Sequence, residues 1–285
     1  MRSVVVTGVS TGIGRGIATV LAENGFHVFG SVRHADHGRT FEAALAGSGT
    51  ALLFDVTDQA AVRAAADEVR RRVGAEGLAG LVNNAGFGVY GPLETMELSE
   101  LRRQFEVNTF ATVGVTQAFL PLLGAALPPR PAPGRIVNIS SVTGRVVPPL
   151  AGPYAASKAA LEALSDSLRR EIAVYGISVI VVRPGAIETA LWEKLVNADL
   201  ERHRDTPHFP ALDAYRNAAM KIGRAGLPAT AVGEVVLKAL TAPRPKTHYV
   251  VQRGGPLQFH IARHLPAWLL DRIVARRLRA LSRGK

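Results

Sequence analysis

The 285-residue chain contains no cysteine. Disulfides and cysteine-based metal sites are therefore excluded, and the absence agrees with a reducing compartment. No apolar run reaches the roughly 20 residues that a spanning helix needs. The first residues pass almost at once into Val4-Val5-Val6, which leaves no room for a signal peptide; the expectation is a cytoplasmic protein. Nucleic-acid signatures are also missing: no zinc-finger spacing, no helix-turn-helix pattern and no RNP-like aromatic run accompanies the net charge of +11. That charge is unevenly placed. Residues 253–285 carry eight Lys/Arg against one acid, a net of +7, which leaves the other 252 residues with only +4. The basicity belongs to the tail, and nucleic acid is not an expected partner.

What is present is ample core material. Hydrophobic residues make up 47% and charged residues 20%, the balance of a folded globular chain. Short β-branched or apolar runs (3–7, 27–32, 51–54, 78–83, 135–140, 177–183, 247–251) alternate with longer amphipathic stretches (14–24, 40–46, 59–73, 99–123, 154–175, 231–240). This rhythm predicts parallel βαβ units in a Rossmann-like, doubly wound α/β sheet. Residues 128–133, with four prolines, read as a surface loop. Residues 188–226 read as a mobile excursion in which Pro207 and Pro210 interrupt any helix. The predicted organisation is one domain over 1–252, with a substrate lid at about 188–226, and a basic C-terminal extension over 253–285.

Three groups of residues point to chemistry. Thr7-Gly8-Val9-Ser10-Thr11-Gly12-Ile13-Gly14 lies between the first strand and the first helix. Glycines there permit a tight turn and close approach of backbone to a pyrophosphate, which the helix N-terminus stabilises. Asn83-Asn84-Ala85-Gly86 closes the fourth strand, and Asp55, followed by Val56, closes the third. In an open parallel sheet the ligand crevice lies at these carboxyl ends; Asp55 reads equally well as a helix N-cap. The third group is Ser141, Tyr154 and Lys158. Tyr154 and Lys158 are four apart and share one helix face. A tyrosine with a pKa near 10 is a poor base at neutral pH, and a neighbouring ammonium brings it towards the useful range. Ser141, just past the fifth strand, is placed to hydrogen-bond a reacting oxygen. The neighbouring Ser140 should point elsewhere, because side chains on a strand alternate.

Together these segments resemble the short-chain dehydrogenase/reductase family. Thr7–Gly14 is similar to its TGxxxGxG turn, Asn83–Gly86 to its NNAG segment, and Tyr154-Ala155-Ala156-Ser157-Lys158 to its YxxSK helix. Ile139-Ser140-Ser141 resembles the strand with the catalytic serine, and Asn108 matches the asparagine of the catalytic tetrad. Arg183-Pro184-Gly185 with Thr189 resembles the PG-xxx-T segment beside the nicotinamide. The motifs span roughly residues 4–189 in the family's order. The resemblance implies that Tyr154 exchanges a proton, Ser141 holds the substrate oxygen, Lys158 tunes Tyr154 and binds the nicotinamide ribose, and Asn108 holds a relay water. It further implies cofactor contacts at Gly8, Ser10, Thr11, Gly12, Ile13, Gly14, Asp55, Val56, Asn84, Ala85, Gly86, Tyr154, Lys158, Pro184, Gly185, Ile187 and Thr189.

An acid at the end of the second strand usually selects NAD. Here the segment reads Gly30-Ser31-Val32-Arg33-His34, and Arg33 could pair with a 2′-phosphate. NADP(H) is therefore the expected cofactor, with NAD as the alternative. Phe87, Val89, Val142, Thr143, Val147, Leu150 and Trp192 are the expected pocket walls, which favours a lipophilic alcohol or carbonyl substrate. No metal is expected: His203, His208, His260 and His264 lack supporting carboxylates and read as surface residues. Family helices matching 99–123 and 154–175 commonly pair between subunits, so at least a homodimer is expected. In the tail, Leu270, Val274, Leu278 and Leu281 oppose Arg272, Arg276, Arg279 and Arg283. Docking of this helix on the body is favoured over contact with an anionic membrane. The competing functional class is a catalytically silent member of the fold acting as regulator or scaffold.

Overall fold

A computed structural model describes residues 2–128, 132–189, 203–206 and 209–282. Trp192 and His208 lie outside the described residues, as do parts of the expected loop at 128–133 and lid at 188–226. Among the described residues, seven strands form one parallel sheet in the order β3-β2-β1-β4-β5-β6-β7. They are β1 (Arg2–Val6), β2 (Phe26–Val32), β3 (Gly49–Leu53), β4 (Gly80–Asn83), β5 (Arg135–Ile139), β6 (Ser178–Pro184) and β7 (His248–Val251). Strand order reverses between β1 and β4, so a crevice opens where their carboxyl ends diverge. This is the expected Rossmann-like single domain.

The two helix layers follow from strand alternation. On β1, Val4 and Val6 face one side, where they join α1 (Gly12–Glu23), α2 (Ala35–Ala44) and a later helix, Ala229–Thr241. Val5 faces the other side and joins Val62, Ala65 and Val69 of α3 (Gln59–Val73) with Val115 and Phe119 of Ala111–Phe119. Both faces of the sheet are thus covered, which is why its strands read as continuous apolar runs. Gly16 lets α1 touch the Ala229–Thr241 helix, since a Cβ there would lie 2.6 Å from the Ala229 carbonyl carbon.

The long stretch 99–123 is one helical column with a change of pitch. It comprises α4 (Leu98–Phe105), a five-residue π turn (Glu106–Phe110), α5 (Ala111–Phe119) and a 3₁₀ end. Next comes α6 (Gly152–Glu171). The expectation that prolines interrupt any helix in 188–226 is corrected: α7 runs Phe209–Arg224. Pro210 sits in its first turn, where a missing N–H and a fixed φ do no harm. After α8 (Ala229–Thr241) and β7, the tail forms α9 (Leu257–His264) and α10 (Ala267–Ser282). In the tail, α10 packs against α7, and Phe259 of α9 is buried. No helix among the described residues is long and apolar enough to cross a membrane.

Candidate active site

A cleft of about 900 Å³ runs along the carboxyl ends of the strands. The glycine turn forms its floor, with Gly8 and Gly12 at positive φ (72° and 60°), conformations that glycine adopts freely. A Cβ on Gly14 would lie 2.1 Å from the Gly8 carbonyl oxygen. The turn is held from below: Gly8 N–H donates to Ser31 Oγ (2.9 Å), and Asn84 Nδ2 donates to the carbonyls of Thr7 (2.8 Å) and Gly8 (3.1 Å). Thr7 Oγ1 in turn accepts from the backbone N–H groups of Asn84 and Ala85. Thr11, the N-cap of α1, makes no side-chain capping bond, and it lines the cleft with Gly12, Ile13 and Gly14 of the first turn, where a helix N-terminus favours an anion. These glycines and open amides fit a dinucleotide.

Gly8, Ser10, Thr11, Gly12, Ile13, Gly14, Arg33, Asp55, Val56, Asn84, Ala85, Gly86, Ser141, Tyr154, Lys158, Pro184, Gly185, Ile187 and Thr189 all line the cleft. Among the catalytic and cofactor-binding candidates, only Asn108 stands behind the wall. Asp55 is not the N-cap of α3; that position belongs to Asp58, which accepts from Ala60 and Ala61. Burial tends to raise the Asp55 carboxyl, but hydrogen bonds from Thr57 and the nearby cations Arg33 and Arg103 hold it below the usual carboxylate range. Arg33 is exposed on the rim. Arg102 and Arg103 of α4 join it in the cleft wall, and the sequence reading missed both because they arrive from an element about 70 residues away.

At the other end, Ser141 caps a 3₁₀ turn (Val142–Gly144), accepting from Thr143 N–H. Tyr154 and Lys158 sit one turn apart on α6, as their spacing requires. Lys158 Nζ donates to the Ile139 carbonyl at 2.8 Å; burial pushes its pKa down to about 8, opposed by the charge of Glu162. Burial also raises the Tyr154 phenol, against a hydrogen bond with Ser141 and reinforced by Tyr215 of α7. Burial therefore counts for more at Tyr154 than the sequence reading, built on the ammonium alone, allowed. Tyr90 packs on it with ring centroids 5.7 Å apart. Tyr90 and Tyr215 were not anticipated, as nothing local marks them.

Asn108 lies in the π turn and is buried. Its amide donates to the Phe87 carbonyl (2.9 Å) and Ser157 Oγ (3.2 Å), and its Oδ1 accepts from Phe87 N–H (3.1 Å). Gln104, one turn earlier, donates to the same Phe87 carbonyl and accepts from Val89 N–H. The pair straps the 87–89 wall to the helix column. Of the expected pocket walls, Phe87 lines the cleft, whereas Val147 is exposed. One histidine expectation is wrong: His203 is 1% exposed, with Nδ1 2.9 Å from Thr95 Oγ1. His260 and His264 are exposed, and among the described residues no cluster of three or more His, Cys, Asp or Glu could hold a metal.

Behind the Tyr154 end lies a charge cluster that no sequence motif announced. Glu162 is fully buried and accepts from Arg183 Nε (2.7 Å) and Nη2 (2.9 Å), from Ser140 Oγ (2.9 Å) and from Arg145. Ser140 thus points away from Ser141, as alternation requires. Burial alone would raise the Glu162 carboxyl; the hydrogen bonds from Arg183, Arg145 and Ser140 hold it low.

Comparison with known proteins accords with this geometry. The profile of the short chain dehydrogenase family matches residues 2–200. The chain is 40% identical over 283 residues to an NADPH-dependent 3-dehydrocapnine reductase of Ornithobacterium rhinotracheale, covering 99% of each. It is 34% identical to retinol dehydrogenase 5 of Mus musculus, over 94% of this chain and 86% of that one. A short-chain dehydrogenase structure from Streptomyces avermitilis superposes with a TM-score of 0.75 at 28% identity, covering 100% and 98%. The chain belongs to the short-chain dehydrogenase/reductase family and is an NAD(P)-dependent oxidoreductase of that family.

Proposed function

We propose that the protein interconverts a lipophilic alcohol and its carbonyl, preferring NADP(H), with Tyr154 as the proton donor and acceptor. The observation that carries this reading is the convergence of Ser141, Tyr154 and Lys158 in the same cleft as the glycine turn. The nicotinamide cofactor supplies or takes the hydride when bound. The Tyr154 hydroxyl gives its proton to the substrate oxygen in reduction and recovers it in oxidation. Its raised pKa keeps the phenol protonated at neutral pH, the form that reduction needs. Ser141 Oγ orients the substrate oxygen, and the Lys158 ammonium offsets the charge that develops on Tyr154. Because the Asn108 amide is engaged by Phe87 and Ser157, its role in a water relay falls to its backbone carbonyl, which already accepts from Thr112 at 3.2 Å.

The cationic rim of Arg33, with Arg102 and Arg103 nearby, supports NADP(H), and so does the cofactor in the name of the 40%-identical reductase. Gly8, Ser10, Thr11, Gly12 and Ile13 would hold the pyrophosphate. A lipophilic substrate is supported by Phe87 and Tyr90 at the catalytic end and by the retinol-type relatives. The deciding experiment is a screen of NADPH and NADP⁺ turnover against ketones and secondary alcohols of graded chain length. Turnover faster with NADH than with NADPH, or confined to short polar substrates, contradicts the reading.

A further inference from the structure

Tyr154, Lys158 and Glu162 are spaced by four, so they form one column on α6. The column does not stop at the two residues that face the cleft. Glu162 receives a bidentate fork from Arg183 at the end of β6, the Ser140 hydroxyl at the end of β5, and Arg145 from the turn after Ser141. These same segments carry Ser141, Pro184 and Gly185, which line the cleft. The Phe259 ring of α9, itself buried, covers the Arg183 guanidinium with 5.7 Å to its centroid. The Arg183–Glu162 pair is thereby kept from water, and its charges act at short range in a medium of low dielectric, with Arg145 reaching it from the partly exposed side.

We infer that Glu162 is a positioning residue whose carboxylate keeps Lys158 protonated, with Arg145 and Arg183 setting how much of that charge Lys158 feels. The inference rests on the role that the family resemblance implies for Lys158, binding the nicotinamide ribose in the cleft it lines. Side chains one helical turn apart have Cβ atoms about 5–6 Å from each other, close enough for a buried carboxylate to stabilise an ammonium. The other contacts of its Nζ are with neutral groups: it donates to the Ile139 carbonyl and lies 5.9 Å from the Tyr154 ring centroid. The other charged groups near the hub are His248 of β7, which faces Asp166 at 3.7 Å, and Arg169, paired with Asp166. His248 also feels the charges of Arg183 and Glu162, and His248, Asp166 and Arg169 are common to the variants below.

The arrangement makes two substitutions act in opposite directions. Glu162→Gln removes the negative charge and should move the titration of Lys158 down by about one pH unit, the scale expected of one close charge. Arg145→Gln removes a competing positive charge and should move it up by a smaller amount, about half a unit on the same scale. Arg145 is chosen over Arg183 because its side chain is one-third exposed and leaves the buried fork intact. Both changes lower stability, so a purely structural role moves the melting temperature in one direction and cannot produce opposite pH shifts.

The test measures NADPH affinity by nicotinamide fluorescence from pH 6.5 to 10.5 in full-length protein, with Lys158→Met as reference. In the wild type, affinity should fall on the alkaline side, and this limb should vanish in Lys158→Met. The limb should come earlier in Glu162→Gln and later in Arg145→Gln. If Lys158→Met keeps the wild-type limb, the role of Lys158 fails and this inference with it. If that limb vanishes while the Arg145→Gln limb stays in place or moves down, Lys158 stands and the inference alone is overturned. Should Glu162→Gln not fold, the sign in Arg145→Gln still decides.

Discussion

The two ends of the cleft are built in different ways. At the glycine turn the contact surface is backbone: open amides of α1, positive-φ glycines, and carbonyls tied down by Asn84. At the catalytic end it is side chains, drawn from β5, α6, β6 and the loops between them, and held by a buried ionic hub. The first kind of site is written in consecutive residues and tolerates little change of shape. The second is assembled across the fold and depends on charge as much as on shape.

Substitutions at the two ends should therefore fail differently. Tyr154→Phe, the largest effect on catalysis, should cut kcat by at least about a hundredfold, the range of acid–base contributions, with NADPH affinity within about twofold. Stopped-flow turnover and fluorescence titration of the same sample check this, and loss of binding together with rate would erase the contrast. Gly14→Ala should do the opposite. Its Cβ would sit against the Gly8 carbonyl and Asn84 Nδ2, so the turn must shift. Affinity should fall by more than about tenfold, with a destabilisation of about 1–3 kcal/mol typical of overpacking.

Lys158→Met sharpens the comparison through stability. Lys158 titrates near 8 in the folded protein and near 10.4 when unfolded. Between these values the unfolded chain binds more protons, so this residue makes stability rise with pH. Below 8 the buried ammonium is a full cost. The variant should accordingly be more stable than wild type at pH 7, by about 2 kcal/mol, with the gain fading as pH rises towards 10. Thermal melts at three pH values measure this; a pH-independent gain would mean that packing rather than charge is responsible.

Arg33→Ala tests the rim of the backbone end. It should weaken NADP(H) by about 1.5–3 kcal/mol at most, as for a charge-assisted hydrogen bond, and leave NAD(H) unchanged; parallel titrations with the two cofactors read the difference. The smallest effect on the cleft itself is expected outside it. Leu98 and Phe110 on the α4–α5 column and Leu164 and Val174 at and after α6 are exposed, and they mark the faces proposed to pair in a dimer. Phe110→Asp should shift the mass found by light scattering towards the monomer. A wild-type monomer at micromolar concentration would remove the dimer proposal.

The legibility of the molecule follows the same division. Gly8, Gly12 and Gly14 were legible because their spacing and the flanking elements suffice to specify a turn. Tyr154 and Lys158 were legible because a helix converts a spacing of four into a shared face. Glu162 obeys that spacing too, yet nothing local distinguishes it from a solvated helix glutamate. Its partners lie 17 to 22 residues away. His203 was misread for a similar reason: its buried bond to Thr95 spans 108 residues. The α7 helix was missed because Pro210 was weighed as a breaker without regard to its place in the first turn.

The sequence alone determined the alternation of strands and helices, the parallel doubly wound sheet and the residues at the carboxyl ends of its strands, because period, glycine spacing and apolar runs are local properties. Tertiary structure alone decided which distant charges meet. It brought Arg33 and Arg103 close enough to Asp55 to lower its pKa, closed Arg145, Arg183 and Ser140 around Glu162, and laid Phe259 over Arg183. Charge interactions depend on distance and burial, and both are set only when the elements pack.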